Sequence, residues 1–123
     1  MKTKEEILAE LPNFYGTEDY HRWSILFRNF VLTDGAKYIA EACGAYWLMD
    51  AIASHLSSYK DEGFVVAKFV KADDPNWLLT VEDGNGGCFA SQCIEYSDFQ
   101  LDEITLYVIK QDDLWVVLLP SEY

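Results

Sequence analysis

Few side chains in this sequence are of types that perform chemistry, and their spacing limits what they can do. There are two histidines, His21 and His55, and three cysteines, Cys43, Cys88 and Cys93. Nucleophilic catalysis needs a base beside a Ser, Cys or Thr. His21 stands among aromatics with nothing paired to it by spacing, and His55, four residues before Tyr59, reads as a packed or surface histidine. Cys88 and Cys93 lie five apart on one expected strand, so their side chains point to opposite faces and cannot share an ion without a bulge. Asp83-Gly84-Asn85-Gly86-Gly87 has the composition of a calcium or phosphate loop. It lacks the length and closing Glu of an EF-hand, and no helix start or Lys follows to hold phosphate, so it reads as a hairpin turn. No catalytic residue, cofactor or metal is expected.

Carboxylates are the more informative class. Asp50 falls inside an otherwise apolar helical run, where a charge is costly unless paired. Arg22 or Arg28 is a candidate partner, or the Trp47 turn leaves Asp50 at the surface. With Tyr46, Trp47, Thr33 and Asp34 it makes up a candidate pocket. The acidic doublets carry the most information: Asp61-Glu62, Asp73-Asp74, Glu82-Asp83, Asp102-Glu103 and Asp112-Asp113. Residues 1–60 hold 8 acids and 6 bases, whereas residues 61–123 hold 13 acids and 3 bases, so the negative charge belongs to the second half.

Over the whole chain, 21 acidic against 9 basic residues give a net charge of −12. Nucleic-acid binding requires Lys and Arg to replace counterions on phosphate, and anionic membrane surfaces need the same, so neither is an expected direct partner. A basic protein surface is, while the plain alternative is solubility and edge protection. The odd cysteine count fits free thiols in a reducing cytoplasm. The start of the sequence has no apolar stretch of signal-peptide type, and the run 44–56, broken by Asp50 and His55, is too short to span a bilayer.

The elements that must position these groups follow from periodicity. Residues 4–11 read as a helix with a Thr3/Glu6 capping box, ended by Pro12-Asn13. Residues 14–23 read as a structured, aromatic loop, and 25–32 fit a strand or a helical turn equally. Thr33 or Asp34 caps a helix over about 36–43, Gly44 breaks it, and 46–59, apolar nearly all round, is the core helix. From Gly63 the period becomes two, with strands near 64–71, 77–82, 88–96, 104–110 and 114–119 separated by Asp-, Gly- and Asn-rich turns. Trp77, Leu79 and Val81 share one face, as do Ile104, Leu106 and Val108. The expected fold is α+β: one domain over 1–123, with N-terminal helices (about 1–60) packed on an antiparallel meander of four or five strands (about 61–123). In a meander, alternate turns share an end. That groups Asp73, Asp74, Asp98, Asp102 and Glu103 at one rim and Glu82, Asp83, Asp112 and Asp113 at the other.

Five segments together carry a resemblance: Gly16-Thr17-Glu18-Asp19-Tyr20, Thr33-Asp34-Gly35-Ala36-Lys37-Tyr38, the run from Gly44-Ala45-Tyr46-Trp47-Leu48 through Met49-Asp50-Ala51-Ile52-Ala53-Ser54, Ile94-Glu95-Tyr96-Ser97-Asp98-Phe99, and Leu118-Leu119-Pro120-Ser121-Glu122-Tyr123. In this order they resemble a family of small proteins from bacteria, cyanobacteria, phages and plasmids that is known only as a domain of unknown function. Where that family has Thr-Asp-Phe-Pro, this chain has Ser97-Asp98-Phe99-Gln100, which removes a proline-fixed turn. The resemblance implies no catalytic residues. It implies a mobile-element setting.

The expected function is that of a non-enzymatic, acidic, protein-binding accessory of a phage or mobile element. Its instance would be an inhibitor of a host defence nuclease, anti-CRISPR-like, that competes with nucleic acid for a basic groove. The alternatives are a small-ligand or enzymatic domain using the Trp47/Asp50 region, and a homo-oligomeric structural module using the aromatic surface. A deep apolar pocket would favour the former and a two-fold apolar patch the latter.

Overall fold

The computed structural model describes residues 3–17, 19–57, 63–73, 75–83, 87–95 and 97–123. Glu18, Tyr59, the Asp61-Glu62 doublet, Asp74, the turn residues 84–86 and Tyr96, all named above, lie outside them. The chain is α+β, and its described residues form three α-helices and one six-stranded mixed sheet.

Helix α1, Lys4–Glu10, starts where expected: the Thr3 hydroxyl accepts from the Glu6 N–H, and the Glu6 carboxylate takes the Thr3 N–H at 3.0 Å. A 3-10 turn, Leu11–Asn13, ends it at the proline. The ambiguous stretch resolves as an irregular loop followed by β1, Phe30–Leu32, all three residues buried. Helix α2, Asp34–Ala42, begins two residues earlier than the periodicity suggested because Thr33 is its cap, accepting the Ala36 N–H at 3.2 Å. Gly44 takes a φ of 59°, the left-handed conformation that glycine adopts without a Cβ penalty, and so separates α2 from α3, Tyr46–Leu56. Helix α3 buries Leu48, Met49, Ile52, Ala53 and Leu56 at 0–1% exposure. Burial of the four larger side chains stabilises the fold by about 1.5–3 kcal/mol each.

The strands are β2 Phe64–Lys71, β3 Trp77–Glu82, β4 Cys88–Ile94, β5 Glu103–Gln111 and β6 Leu114–Leu118. A simple meander is not what they form: the spatial order is β1-β6-β5-β2-β3-β4, and β1 runs parallel to β6. Three successive strands, β2, β3 and β4, are joined as expected, but β5 pairs with β2 rather than with β4. The cause lies in residues 97–102, which read as a turn but cross the end of the sheet. Phe99 and Leu101 are buried there, and the Phe99 ring meets Phe69 at 5.3 Å and Trp77 at 5.9 Å edge-on. Phe69 and Trp77 are stacked on one another at 4.8 Å, and Trp47 of α3 packs against Phe69 at 5.3 Å. Burying Phe99 in this aromatic cluster outweighs a short hairpin, and the Lys71 N–H donating to the Asp102 carbonyl at 2.9 Å delivers the chain to the far side of β2.

The face assignments hold. Trp77, Leu79, Val81, Ile104, Leu106 and Val108 are buried toward the helices, while Tyr107 and Ile109 lie on the opposite face, half-buried. There Tyr107, Phe64 and Tyr123 form a ring cluster with centroids 5.1–5.5 Å apart. Among the described residues no helix is long and apolar enough to cross a membrane.

Candidate functional site

Three of the five segments that carry the resemblance meet at the amino end of α2. Its first turn presents N–H groups without intrahelical partners and a partial positive charge. Asp34 N–H donates to Thr17 Oγ1 at 2.9 Å, and Gly35 N–H donates to Glu122 Oε2 at 3.0 Å. Glu122 Oε1 also accepts the Thr33 hydroxyl at 2.6 Å and the Leu119 N–H at 3.0 Å. The His21 ring N–H donates to Asp34 Oδ1 at 2.8 Å, and the His21 backbone pairs with Leu32. His21 therefore does have a partner, which spacing concealed because it lies 13 residues away across β1. The nearby Thr17 hydroxyl is not directed at the pair: it donates to the Asp19 carbonyl at 2.7 Å. The carboxylate of Glu122 occupies the anion position that a ligand would take, so this cluster clasps the fold. The signal that could have revealed it is Gly35. A glycine inside a first helical turn is unfavourable unless something approaches closely, and a Cβ there would lie 2.5 Å from Glu122 Oε1 and 2.6 Å from Leu119 Cδ1.

The five candidate pocket residues are divided between two places. Thr33 is buried in the clasp, and Asp34 lines a small cavity with Tyr15 and Thr17. Tyr46, Trp47 and Asp50 lie apart, at the start of α3. There Asp50 is exposed and accepts the Trp23 indole N–H at 2.8 Å. Among the described residues this indole, rather than Arg22 or Arg28, is its hydrogen-bond partner; Arg22 Nε donates to the Arg28 carbonyl. Asp50 borders an open groove of about 550 Å³ whose walls include Trp47, Ala51, Ser54 and His55 of α3, Leu26 and Phe27 of the loop, and Gln92 and Ile94 of β4. His55 of α3 and Gln92 of β4, both lining the groove, are joined by a 2.9 Å hydrogen bond. The loop beside it exposes Ile25 and Leu26 at 82% and 84%.

The strand directions keep the acidic groups at the ends where alternation put them, but the strand order spreads one of them. At one end, Asp73 on the β2–β3 turn and Glu103 opposite Val70 are one strand apart, with Asp98 on the crossover. Asp102 is ion-paired with Lys4 at 2.7 Å, and the Lys4 ammonium, as hydrogen-bond partner and as charge, holds the Asp102 carboxyl below its usual range. At the other end, β2 separates the β3–β4 hairpin from the β5–β6 hairpin. Those two hairpins are then about 14 Å apart at roughly 4.8 Å per strand, beyond a Debye length of about 8 Å. Glu82 faces Lys68 at 3.5 Å, and Asp83 Oδ1 accepts the Gly87 N–H at 3.0 Å.

Cys88 and Cys93 do not point to opposite faces. A bulge shifts the register so that Cys88 aligns with Glu82 and Cys93 with Leu78, on one face. The two thiols still lie roughly 13 Å apart along the strand. Among the described residues no group of three His, Cys, Asp or Glu side chains could hold a metal ion.

No curated protein and no solved structure matches the chain. A family model does, over residues 5–123, so the chain belongs to DUF6876, a family of unknown function.

Proposed function

We propose that this protein works by binding another protein, as an acidic module that docks on a basic, nucleic-acid-binding surface, and that it performs no chemistry of its own. Charge carries the reading. Even if every one of the 9 basic residues were paired, 12 of the 21 carboxylates would keep no cation, and the excess belongs to the sheet half. Exposed Asp73, Asp98 and Glu103 supply the closest grouping, and Ile25 and Leu26 supply apolar contact area beside Trp23. The His21–Asp34 pair supports binding over catalysis, since both groups are spent on holding a helix end. The mobile-element setting implied by the resemblance makes a host defence nuclease the first partner to try.

The test is competition. A purified defence nuclease carrying a fluorescent duplex is titrated with the protein while anisotropy is followed. Release of the duplex at stoichiometric protein, weakening as salt rises from 50 to 300 mM (~twofold in Debye length), supports the proposal. Retention of the duplex by a panel of such basic proteins at low salt refutes it.

A further inference from the structure

The edge strand β4 has the properties that most edge strands are built to avoid. Among the described residues it pairs with β3 alone, it is seven residues long, and its sequence Cys-Phe-Ala-Ser-Gln-Cys-Ile holds neither charge nor proline. Such an edge presents a row of unpaired N–H and C=O groups that can template another strand. Beside it runs the groove bounded by α3 and the 24–27 loop, so a chain added to β4 would set alternate side chains into that groove. The groove is apolar at Trp47, Ala51, Phe27 and Ile94, and among the described residues its one Asp, Glu, Lys or Arg is Asp50, exposed and hydrogen-bonded to the Trp23 indole. Among the described residues no Lys or Arg lines it. Acids flank β4 at both ends: Glu82 and Asp83 before it, Glu95 and Asp98 after it.

We infer that the β4 edge and the α3 groove together bind an extended segment of a partner protein, paired to β4 through its main chain, with an apolar residue in the groove and a Lys or Arg meeting Asp50. This deepens, and rests on, the reading of the chain as an acidic protein-binding module. The charge pattern decides against a second copy as occupant. In an antiparallel β4–β4 pair, the acids before one strand would face the acids after the other, and like charges opposed across an interface repel.

The experiment uses the whole protein and a synthetic library of unstructured nine-residue peptides, with Lys or Arg fixed centrally in one pool and Glu in the other. The expected result is selection from the basic pool alone, with slowed hydrogen exchange confined to β4 amides. N-methylation of two alternate amides in a selected peptide should weaken binding about 30-fold, the loss of two main-chain hydrogen bonds. Asp50→Asn should weaken it about fivefold. Ser54→Arg, at an exposed wall position, should block it while circular dichroism stays unchanged. The inference is overturned if no peptide is selected, if binding survives N-methylation, or if a concentration-dependent dimer protects the β4 amides instead. Should Ser54→Arg leave duplex displacement intact while reversal of the rim acids abolishes it, the groove fails and the acidic docking reading stands. The opposite pattern supports the groove and removes the rims.

Discussion

Glu122 accepts the Gly35 N–H at 3.0 Å, and this one contact ties the last turn of the fold to the start of α2. The same carboxylate takes the Thr33 hydroxyl and the Leu119 N–H. Glu122→Ala should therefore lower stability by about 1.5–3 kcal/mol, the range for hydrogen bonds to a charged acceptor. Gly35→Ala should cost about 1–3 kcal/mol by overpacking against the carboxylate and Leu119. Urea midpoints at unchanged m-value give both numbers. In the Glu122→Ala background the Gly35→Ala cost should shrink, because one of the two clashing groups is gone. Additivity of the two costs would contradict the contact.

Cysteine reactivity separates the three thiols. Burial pushes the Cys43 thiol up to about 11, and it is 1% exposed, whereas Cys88 and Cys93 are exposed. Thiolate is the reactive form. A chromogenic disulfide at pH 8 should titrate two thiols within seconds and the third only on addition of denaturant. Three fast thiols would mean that the α2–α3 corner opens readily or is packed otherwise.

Much of this arrangement was legible in the sequence, for identifiable reasons. The limits of β2 to β6 agree within two residues because those strands are bounded by Asp, Gly or Pro turns, whereas β1 starts five residues into the ambiguous run 25–32; the Thr3/Glu6 box is written in four consecutive residues. The strand order was not legible. Phe99 and Leu101 look like ordinary turn-flanking apolar residues, and only the Phe69–Trp77 stack explains why they cross the sheet. The bulge that brings Cys88 and Cys93 to one face adds a single residue and leaves no periodic trace. Asp50 lies at the surface, one of the two positions that the sequence left open for it. Its partner, Trp23, lies 27 residues away on an irregular loop, and spacing carries no information over such a distance.

Tyr38 gives the fold a signature at high pH. Burial first, and then the hydrogen bond it donates to Glu10, push its hydroxyl up to about 12 from 10.0. The unfolded chain loses this proton near pH 10, while the folded chain keeps it until about 12, so the unfolded state binds fewer protons in that window. Stability contributed by the neutral hydroxyl is thus present below pH 10 and lost as pH climbs toward 12. The stability difference between the native chain and Tyr38→Phe should fall across that window and be flat below it. Ultraviolet titration at 295 nm should show one late tyrosinate that the variant lacks.

The acidic rims are the last point, and the strand order changes how they must be tested. At the β5–β6 turn Asp112 has a φ of 54°, a conformation strained for any side chain, so a Lys there would confound charge with backbone strain. Asp112→Gly is the suitable neutral control and should raise stability by up to about 1 kcal/mol. Asp102 should be left intact as well, because its reversal breaks the Lys4 pair. The informative variants are then Asp73→Lys with Asp98→Lys and Glu103→Lys at one end, and Asp113→Lys with Asp112→Gly at the other. Exposed turn charges shift folding by about 0.5 kcal/mol or less each, so both variants should fold. The first end sets Asp73 and Glu103 one strand spacing apart, whereas β2 divides the second into hairpins that screen from one another. Reversal at the first end should therefore remove most duplex-displacing activity and most of its salt dependence, and reversal at the second should change little. Equal loss at both ends would mean that net charge alone drives association, and no loss at either would leave the 22–27 loop, with Trp23, Ile25 and Leu26, as the docking surface.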